Sequence, residues 1–184
     1  KKVMRSVTSG EAAELLGVDH TYLRKLHREG KITDVETTAG SHRRYTLDDV
    51  WEIRHSLEAN AKKPGTYVPG RRKGDELQVI SVVNFKGGSG KTTTSAHLAQ
   101  RLAFKGYRVL AIDLDPQASL SALHGIQPEL DLMEGGTLYD AVRYDDPVLV
   151  SEVIRKTYIR GLDLIPGNLE LMEFEHETPA AIQR

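Results

Sequence analysis

The sequence predicts a small helical unit with a β-hairpin, followed by part of an α/β unit whose parallel sheet carries helices on both faces. Two short capped helices and a basic hairpin lie before residue 60, and a stretch rich in proline, glycine and basic residues follows at 60–76. Beyond it, β-rich apolar runs alternate with segments of helical periodicity. We therefore expect domains at 1–59 and 77–184, joined by an exposed linker at 60–76.

The composition is that of a globular chain. Of its 184 residues, 39% are hydrophobic and 28% are charged, and the net charge is -1. Division after Glu76 leaves +3 in the first part and -4 in the second, so the two units differ in electrostatic character. The absence of cysteine excludes disulfide scaffolds, thiolate zinc sites and cysteine nucleophiles. Neither a membrane-length apolar run nor a leader is present, so we expect a cytoplasmic protein.

Two helices are predicted at the start of the first unit. Thr8 and Glu11 have the spacing of a capping box, and the helix that they begin ends at Gly17. Asp19 can cap a second helix, which ends before Gly30 and keeps its basic side chains on the outer face. Two short helices about a glycine turn predict a helix-turn-helix.

A hairpin and a third helix complete this unit. Residues 35–38 and 43–45 flank a glycine turn at 39–42, and Thr46 can cap a helix with apolar side chains on one face. The order helix, helix, basic hairpin, helix over residues 7–57 resembles the winged helix-turn-helix of the MerR type. An outward basic helix and a basic wing can contact base edges and phosphates. The candidate DNA-binding residues are His20, Thr21, Arg24, Lys25, Arg28, Arg43 and Arg44. The alternative is a helical interaction module with a solvated basic face.

The second unit begins with a predicted phosphate-binding loop. An apolar, β-rich run at 77–85 predicts a strand, the sequence KGGSGKTTT follows at 86–94, and helical periodicity then continues to Gly106. Glycines let successive backbone N–H groups face one anion at a helix amino end, Lys91 can reach the terminal phosphates and Thr92 can bind Mg²⁺. These features predict a P-loop NTPase fold. The candidate nucleotide-binding residues are Lys86, Gly87, Gly88, Ser89, Gly90, Lys91, Thr92 and Thr93. The alternative is a glycine-rich turn that contains Gly-Lys-Thr by chance.

One departure from the plain P-loop pattern is informative. Phe85 occupies the place of its first glycine, and K-G-G-x-G-K-T-T-T resembles the deviant Walker A motif of the ParA/MinD family of ATPases. The resemblance implies ATP and Mg²⁺ as cofactors and a dimer that encloses the nucleotide. It also implies that Lys86 reaches the phosphates held by the partner of that dimer. The alternative is that Lys86 is merely an exposed loop lysine.

Two carboxylates follow the next predicted strand. The β-rich run at 107–112 ends in Asp113-Leu114-Asp115-Pro116, and the carboxyl ends of parallel strands carry the ligand site in α/β sheets. The resemblance implies that Asp115 orients or activates the attacking water, whereas Asp113 supports the magnesium shell or the turn. The candidate catalytic residues are therefore Lys86, Lys91 and Asp115, and the candidate metal residues are Thr92 and Asp113. The alternative for both aspartates is that they cap the strand end.

The remaining sequence carries less chemistry. Helices are predicted at 137–142 and 147–156, and a strand with a turn is predicted at 162–168. The sequence LIPGNLEL at 164–171 resembles a segment that, in plasmid ParA proteins, precedes a further strand. Neither that strand nor the basic surface by which the family binds DNA is recognisable in these residues. We therefore expect an incomplete sheet and the front part of a longer protein. His176 among glutamates is expected on a solvated helix face.

The combined pattern resembles the plasmid-partition ATPases, especially those encoded by repABC replicons. This resemblance implies an ATP-dependent homodimer that binds operator and nonspecific DNA and hydrolyses ATP with a ParB- or RepB-like centromere-binding partner. The winged unit would repress its own operon. A nucleotide-sensing repressor without a motor role is the alternative. A MinD-like membrane ATPase is disfavoured because no amphipathic carboxyl-terminal anchor is recognisable.

Overall fold

The computed structural model describes residues 5–32, 34–38, 42–70, 73–74, 76–132 and 135–174. In the first unit, β1 is Val7–Thr8, α1 is Ser9–Leu16, α2 is His20–Arg28, β2 is Arg44–Tyr45 and α3 is Leu47–Ala59. The capping predictions are confirmed, because both boxes form and the Asp19 side chain accepts from the Thr21 N–H. Gly17 ends α1 with a φ of 71°, which is a left-handed conformation that glycine adopts without strain.

The core of the first unit lies between its three helices. Buried apolar side chains from all three pack with Tyr45 of β2, while β1 pairs antiparallel with β2. The two strands of the predicted wing pair beside its turn. Thr37 and Arg43 form an antiparallel bridge, and the Thr38 N–H donates to the His42 carbonyl. The turn at 39–41 lies outside the described residues. The MerR-like arrangement of helices and wing strands is therefore formed.

The second unit contains a small mixed sheet covered by helices. Its helices are α4, Lys91–Phe104, α5, Ser119–Leu123, α6, Pro128–Asp131, and α7, Leu138–Val142. Its strands are β3, Val109–Ile112, β4, Arg155–Lys156, and β5, Leu162–Ile165. The strand order is β3-β5-β4, with β3 and β5 parallel and β4 antiparallel at the edge. The predicted parallel pair is confirmed, and the antiparallel strand is an addition to it.

Two secondary-structure predictions in this unit are wrong. Residues 76–84 form neither strand nor helix, and apolar side chains such as Val79, which is 80% exposed, project into solvent. Apolar β-propensity favours a strand, but a strand also needs a neighbour that accepts its hydrogen bonds, and the described sheet does not pair with this run. The helix expected at 147–156 is replaced by a 3₁₀ turn, Val150–Glu152, and by β4, because Arg155 and Lys156 pair with β5.

The linker is only partly exposed. The carboxylate of Glu58 on α3 accepts the backbone N–H groups of Gly65, Tyr67 (2.7 Å) and Val68 (3.0 Å), and Tyr67 packs against the core of the first unit. The expectation of an exposed linker holds at 62–64 and 66, but Gly65, Tyr67 and Val68 are half-buried because an acceptor from the preceding helix holds their backbone. Among the described residues, no helix combines the length and the apolar character required to cross a bilayer.

Candidate functional site

The glycine loop leads into the amino end of α4. Gly90 is the N-cap of this helix with a φ of 82°, and Gly88 has a φ of 70°, both in the region that favours glycine. The first intrahelical bond is donated by the Thr94 N–H to the Gly90 carbonyl (2.8 Å), and the N-cap supplies no side-chain acceptor. The preceding N–H groups of the helix are thus left for an external acceptor. The loop itself is exposed at Gly87–Gly90.

The two loop lysines occupy different positions. Lys86 is exposed before the glycines, and its backbone N–H donates to the Asn84 side-chain oxygen (2.8 Å). Lys91 is half-buried in the first turn of α4, beside the half-buried Thr92 and the exposed Thr93. Two cations and the positive end of a helix therefore flank one exposed loop, which suits a phosphate chain.

Asp113 and Asp115 follow β3 and have different surroundings. Asp113 is only 2% exposed, and its Oδ2 accepts from both the N–H and the hydroxyl of Ser121, at 2.8 and 2.7 Å. Its Oδ1 accepts from the Asp115 N–H at 3.2 Å. Asp115 is half-buried, and its Oδ1 accepts the Gln117 N–H at 3.0 Å. These contacts engage Asp113 in holding the loop between β3 and α5.

The carboxyl ends of the two parallel strands meet at this loop. A Cβ at Gly167, just after β5, would lie 2.7 Å from the Asp113 carbonyl oxygen and 2.9 Å from that of Asp115. The Gly167 N–H also donates to the Ser121 hydroxyl at 3.3 Å. Next to it, Asn168 is buried and its side-chain carbonyl has no hydrogen-bond partner among the described residues. Sequence reasoning missed both of these positions, although Gly167 lies in the turn predicted after the third strand.

The residues of the phosphate loop suit ATP with Mg²⁺ better than the carboxylates of Asp113 and Asp115 do. Uncapped helix N–H groups with lysines suit phosphate oxygens, and the Thr92 hydroxyl suits Mg²⁺. No hydrogen bond or ion pair within the described ranges joins Lys86, Lys91 or Thr92 to Asp113 or Asp115. No group of three His, Asp or Glu side chains within those ranges is suited to hold a metal ion.

The predicted DNA-binding residues occupy the outer side of α2 and the wing. Thr21, Arg24, Lys25 and Arg28 are exposed, whereas His20, Arg43 and Arg44 are half-buried. The Thr21 hydroxyl donates to Asp19, and Lys25 lies 3.7 Å from Glu29. Arg24 and Arg28 are the exposed guanidinium groups of this helix and could reach phosphates or base edges.

Sequence reasoning missed two buried polar residues behind this surface. His27 of α2 faces the core, and its Nε2 lies 2.9 Å from the Tyr45 hydroxyl. Burial, and then the charge of Arg43, lower the pKa of His27. Arg54 of α3 is also buried and contacts both units. The apolar periodicity of α3 gave no signal that an arginine would lie inside.

Two family models match the chain. Residues 77–184 match the AAA domain, and residues 8–45 match the MerR family regulatory protein. These two matches divide the chain where the charge and composition change.

Several curated proteins are similar to this chain. A Rhizobium rhizogenes chain that bears the name replication protein A is 55% identical over 183 residues, which are 99% of this chain and 45% of its own length. The protein SopA of Escherichia coli K12 is 34% identical over 96% of this chain and 45% of its own. The chromosome partitioning protein ParA of Caulobacter vibrioides NA1000 is 41% identical over 59% of this chain and 39% of its own. This chain thus spans about half the length, or less, of these relatives.

A solved structure described as a partition protein also aligns with the chain. It covers 95% of this chain and 48% of its own, with 21% sequence identity and a TM-score of 0.49.

Proposed function

The chain belongs to the AAA domain family and carries a MerR-type regulatory unit before that domain, and from this premise we propose that it works in a ParA-type partition ATPase. In this proposal it binds ATP with Mg²⁺, dimerises around the nucleotide and binds DNA. ATP hydrolysis with a ParB-like partner then segregates plasmid copies, and the winged unit represses its own operon. The relatives named for replication and for chromosome partitioning support this proposal.

The observation that carries the proposal is the exposed glycine loop at the uncapped amino end of α4. Its N–H groups, with Lys91, would hold the β- and γ-phosphates, and Lys86 would reach the phosphates bound by a second copy. Thr92 would hold Mg²⁺, which screens the phosphate charge and polarises the terminal phosphoryl group. Asp115 is half-buried and lies just beyond the carboxyl end of β3. It would position the attacking water. Asp113 would act on the metal only through the loop that it fixes.

Nucleotide binding by the chain itself tests the phosphate loop. We expect a fluorescent ATP analogue to bind in the presence of Mg²⁺, and Lys91→Ala to weaken binding by about ten-fold or more because a charge-assisted contact is lost. Lys105→Ala, at the other end of the same helix, is the matched control and should bind like the wild type. Equal affinity of the Lys91→Ala and wild-type chains would exclude the assigned role.

Hydrolysis by the full-length gene product tests the rest of the assignment. We expect plasmid centromere DNA and the ParB-like partner to stimulate turnover, and Lys86→Gln and Asp115→Ala each to lower it. We also expect the 184-residue chain alone to hydrolyse ATP poorly. Equal rates for all three full-length proteins would contradict the roles of Lys86 and Asp115.

A repressor that only senses nucleotide remains the second candidate. It is favoured by the close packing of the winged unit on the ATPase unit, which would let a nucleotide change DNA binding without a motor. Salt-dependent operator binding by both wild type and Lys91→Ala, with unchanged plasmid inheritance, would support this candidate over partition.

A further inference from the structure

Arg54 joins three separate segments of the chain through their backbone carbonyls. It lies on α3 and is 4% exposed. Its Nη1 donates to the Tyr67 carbonyl at 2.8 Å, and its Nη2 donates to the Phe104 carbonyl at 2.8 Å and to the Leu15 carbonyl. One planar guanidinium therefore ties the winged unit, the linker and the ATPase unit together.

The buried charge of Arg54 is balanced by helix ends. Leu15 lies in the last turn of α1 and Phe104 is the last residue of α4, so the guanidinium contacts the negative ends of two helix dipoles. Among the residues that the structure describes, no carboxylate lies within ion-pair distance of it, and burial lowers its pKa. Without those carbonyls a cation at this depth would be strongly unfavourable.

Two glycines allow the units to approach closely around Arg54. A Cβ at Gly106 would lie 2.6 Å from the Arg54 Cδ, and a Cβ at Gly161 would lie 2.6 Å from the Trp51 ring. Near the rim, Arg160 lies 3.3 Å from Asp48 and 5.9 Å from the Trp51 ring centre. The contact between the units is thus a packed interface and not a loose tether.

The same helix carries the phosphate loop at one end and the Arg54 contact at the other. The 14 residues of α4 run from Lys91 to Phe104, which is about 20 Å along a helix axis. A packed helix moves as a rigid body, so a nucleotide that displaces its amino end would also displace its carboxyl end. The Arg54 contact would pass such a shift to α1 and α3, which pack with the candidate DNA-binding helix α2 in one core.

We propose that Arg54 is a positioning residue that fixes the winged unit to α4 and thereby makes DNA binding by that unit depend on nucleotide at the phosphate loop. This inference rests on the proposed function. Because linkage is reciprocal, DNA held by the winged unit also changes the affinity for nucleotide.

The test measures a ratio of affinities. A fluorescent duplex spanning the region immediately upstream of the gene is titrated with the full-length protein in ATPγS with Mg²⁺ and, separately, in ADP. We expect the wild-type dissociation constants to differ by about five-fold or more. For Arg54→Met we expect the ratio of the two DNA dissociation constants to be near one. Its affinity for ATPγS itself should stay close to that of the wild type. His97→Gln, which changes an exposed side chain of α4, is the matched control and should keep the wild-type ratio.

Arg54→Lys separates coupling from folding. Lysine keeps the charge but loses the planar fork that reaches three carbonyls, so this variant should fold and still show a reduced ratio. A wild-type ratio in Arg54→Lys, or in a folded Arg54→Met, would overturn the inference. The inference would also be overturned if the wild-type protein bound ATPγS but bound DNA equally well in ATPγS and in ADP. That result would leave the proposed function standing. Failure to bind ATPγS at all would overturn the proposed function itself.

Discussion

Both oxygens of the Asp113 carboxylate are engaged within the protein. Three donors from Ser121 and Asp115 surround it, and together they hold the loop that follows β3. The sequence predicted that Asp113 supports either the magnesium shell or the turn, and the observed contacts favour the turn. A carboxylate can be placed at a strand end from the sequence, but which donors surround it depends on how the next eight residues turn into α5.

Asp113→Asn should destabilise the second unit. The asparagine amide nitrogen cannot accept hydrogen bonds, so a buried donor loses its partner, and the free energy of unfolding should fall by about 1–3 kcal/mol. Denaturant unfolding measures this loss, with the exposed Asp145→Asn as the control. A normal stability with a large loss of Mg²⁺-dependent ATP affinity would instead assign Asp113 to the metal.

His27 should make the stability of the first unit depend on pH. Its pKa is lowered by burial in the folded chain, so the unfolded chain binds the proton more readily. Its contribution is therefore fully present above about pH 6.5, the ordinary value, and is lost as the pH falls below it. Urea unfolding between about pH 7.5 and pH 5 should show this loss in the wild type and less of it in His27→Gln. His97→Gln, on the exposed side of α4, should behave as the wild type. If the free energy of unfolding changed equally with pH in all three proteins, His27 would not be the cause.

At the scale of elements, local signals predicted the side-chain-capped helices well, but they were wrong for the strand at 77–85 and the helix at 147–156. Side chains such as Thr8, Asp19 and Thr46 fix helix starts through bonds within four residues, so their pattern can be read directly. The apolar run at 77–85 has the residues of a strand, but pairing depends on a neighbour that the local sequence does not specify. The glycine loop and its lysines were predicted correctly as neighbours of α4, because they adjoin it in the chain.

The element that links the units should depend on Glu58. Its carboxylate accepts three linker N–H groups, those of Gly65, Tyr67 and Val68, so Glu58→Ala should speed hydrogen exchange at these amides. Glu52→Ala, on the same helix but facing Arg160, is the matched control. Unchanged exchange in Glu58→Ala would show that other contacts hold the linker.

If α2 binds DNA as proposed, it should contribute a measurable salt dependence. Arg24 is exposed on this helix, and loss of one phosphate contact should lower the slope of log affinity against log salt concentration by about 1. A titration of Arg24→Ala with duplex DNA at several salt concentrations measures it. Arg108→Ala, exposed in the other unit, should leave the slope unchanged, and an equal effect of both variants would argue against α2 as the contact helix.

At the scale of the whole molecule, the sequence predicted two units but not how they meet. Composition and charge separate them near residue 76, and the matches at 8–45 and 77–184 respect that separation. The interface between them depends on one buried arginine, two glycines and a partly docked linker. None of these has a periodic signature, because each gains its role from residues distant in the chain.

Trp51 is the only tryptophan in the 184 residues, and it lies where the units touch, against Gly161 and below the Arg160 guanidinium. A change in the angle between the units would alter the polarity around its indole ring and move a nearby cation. Within these 184 residues, fluorescence excited selectively at tryptophan, and not at the seven tyrosines, therefore reports on this contact between the units without any attached dye.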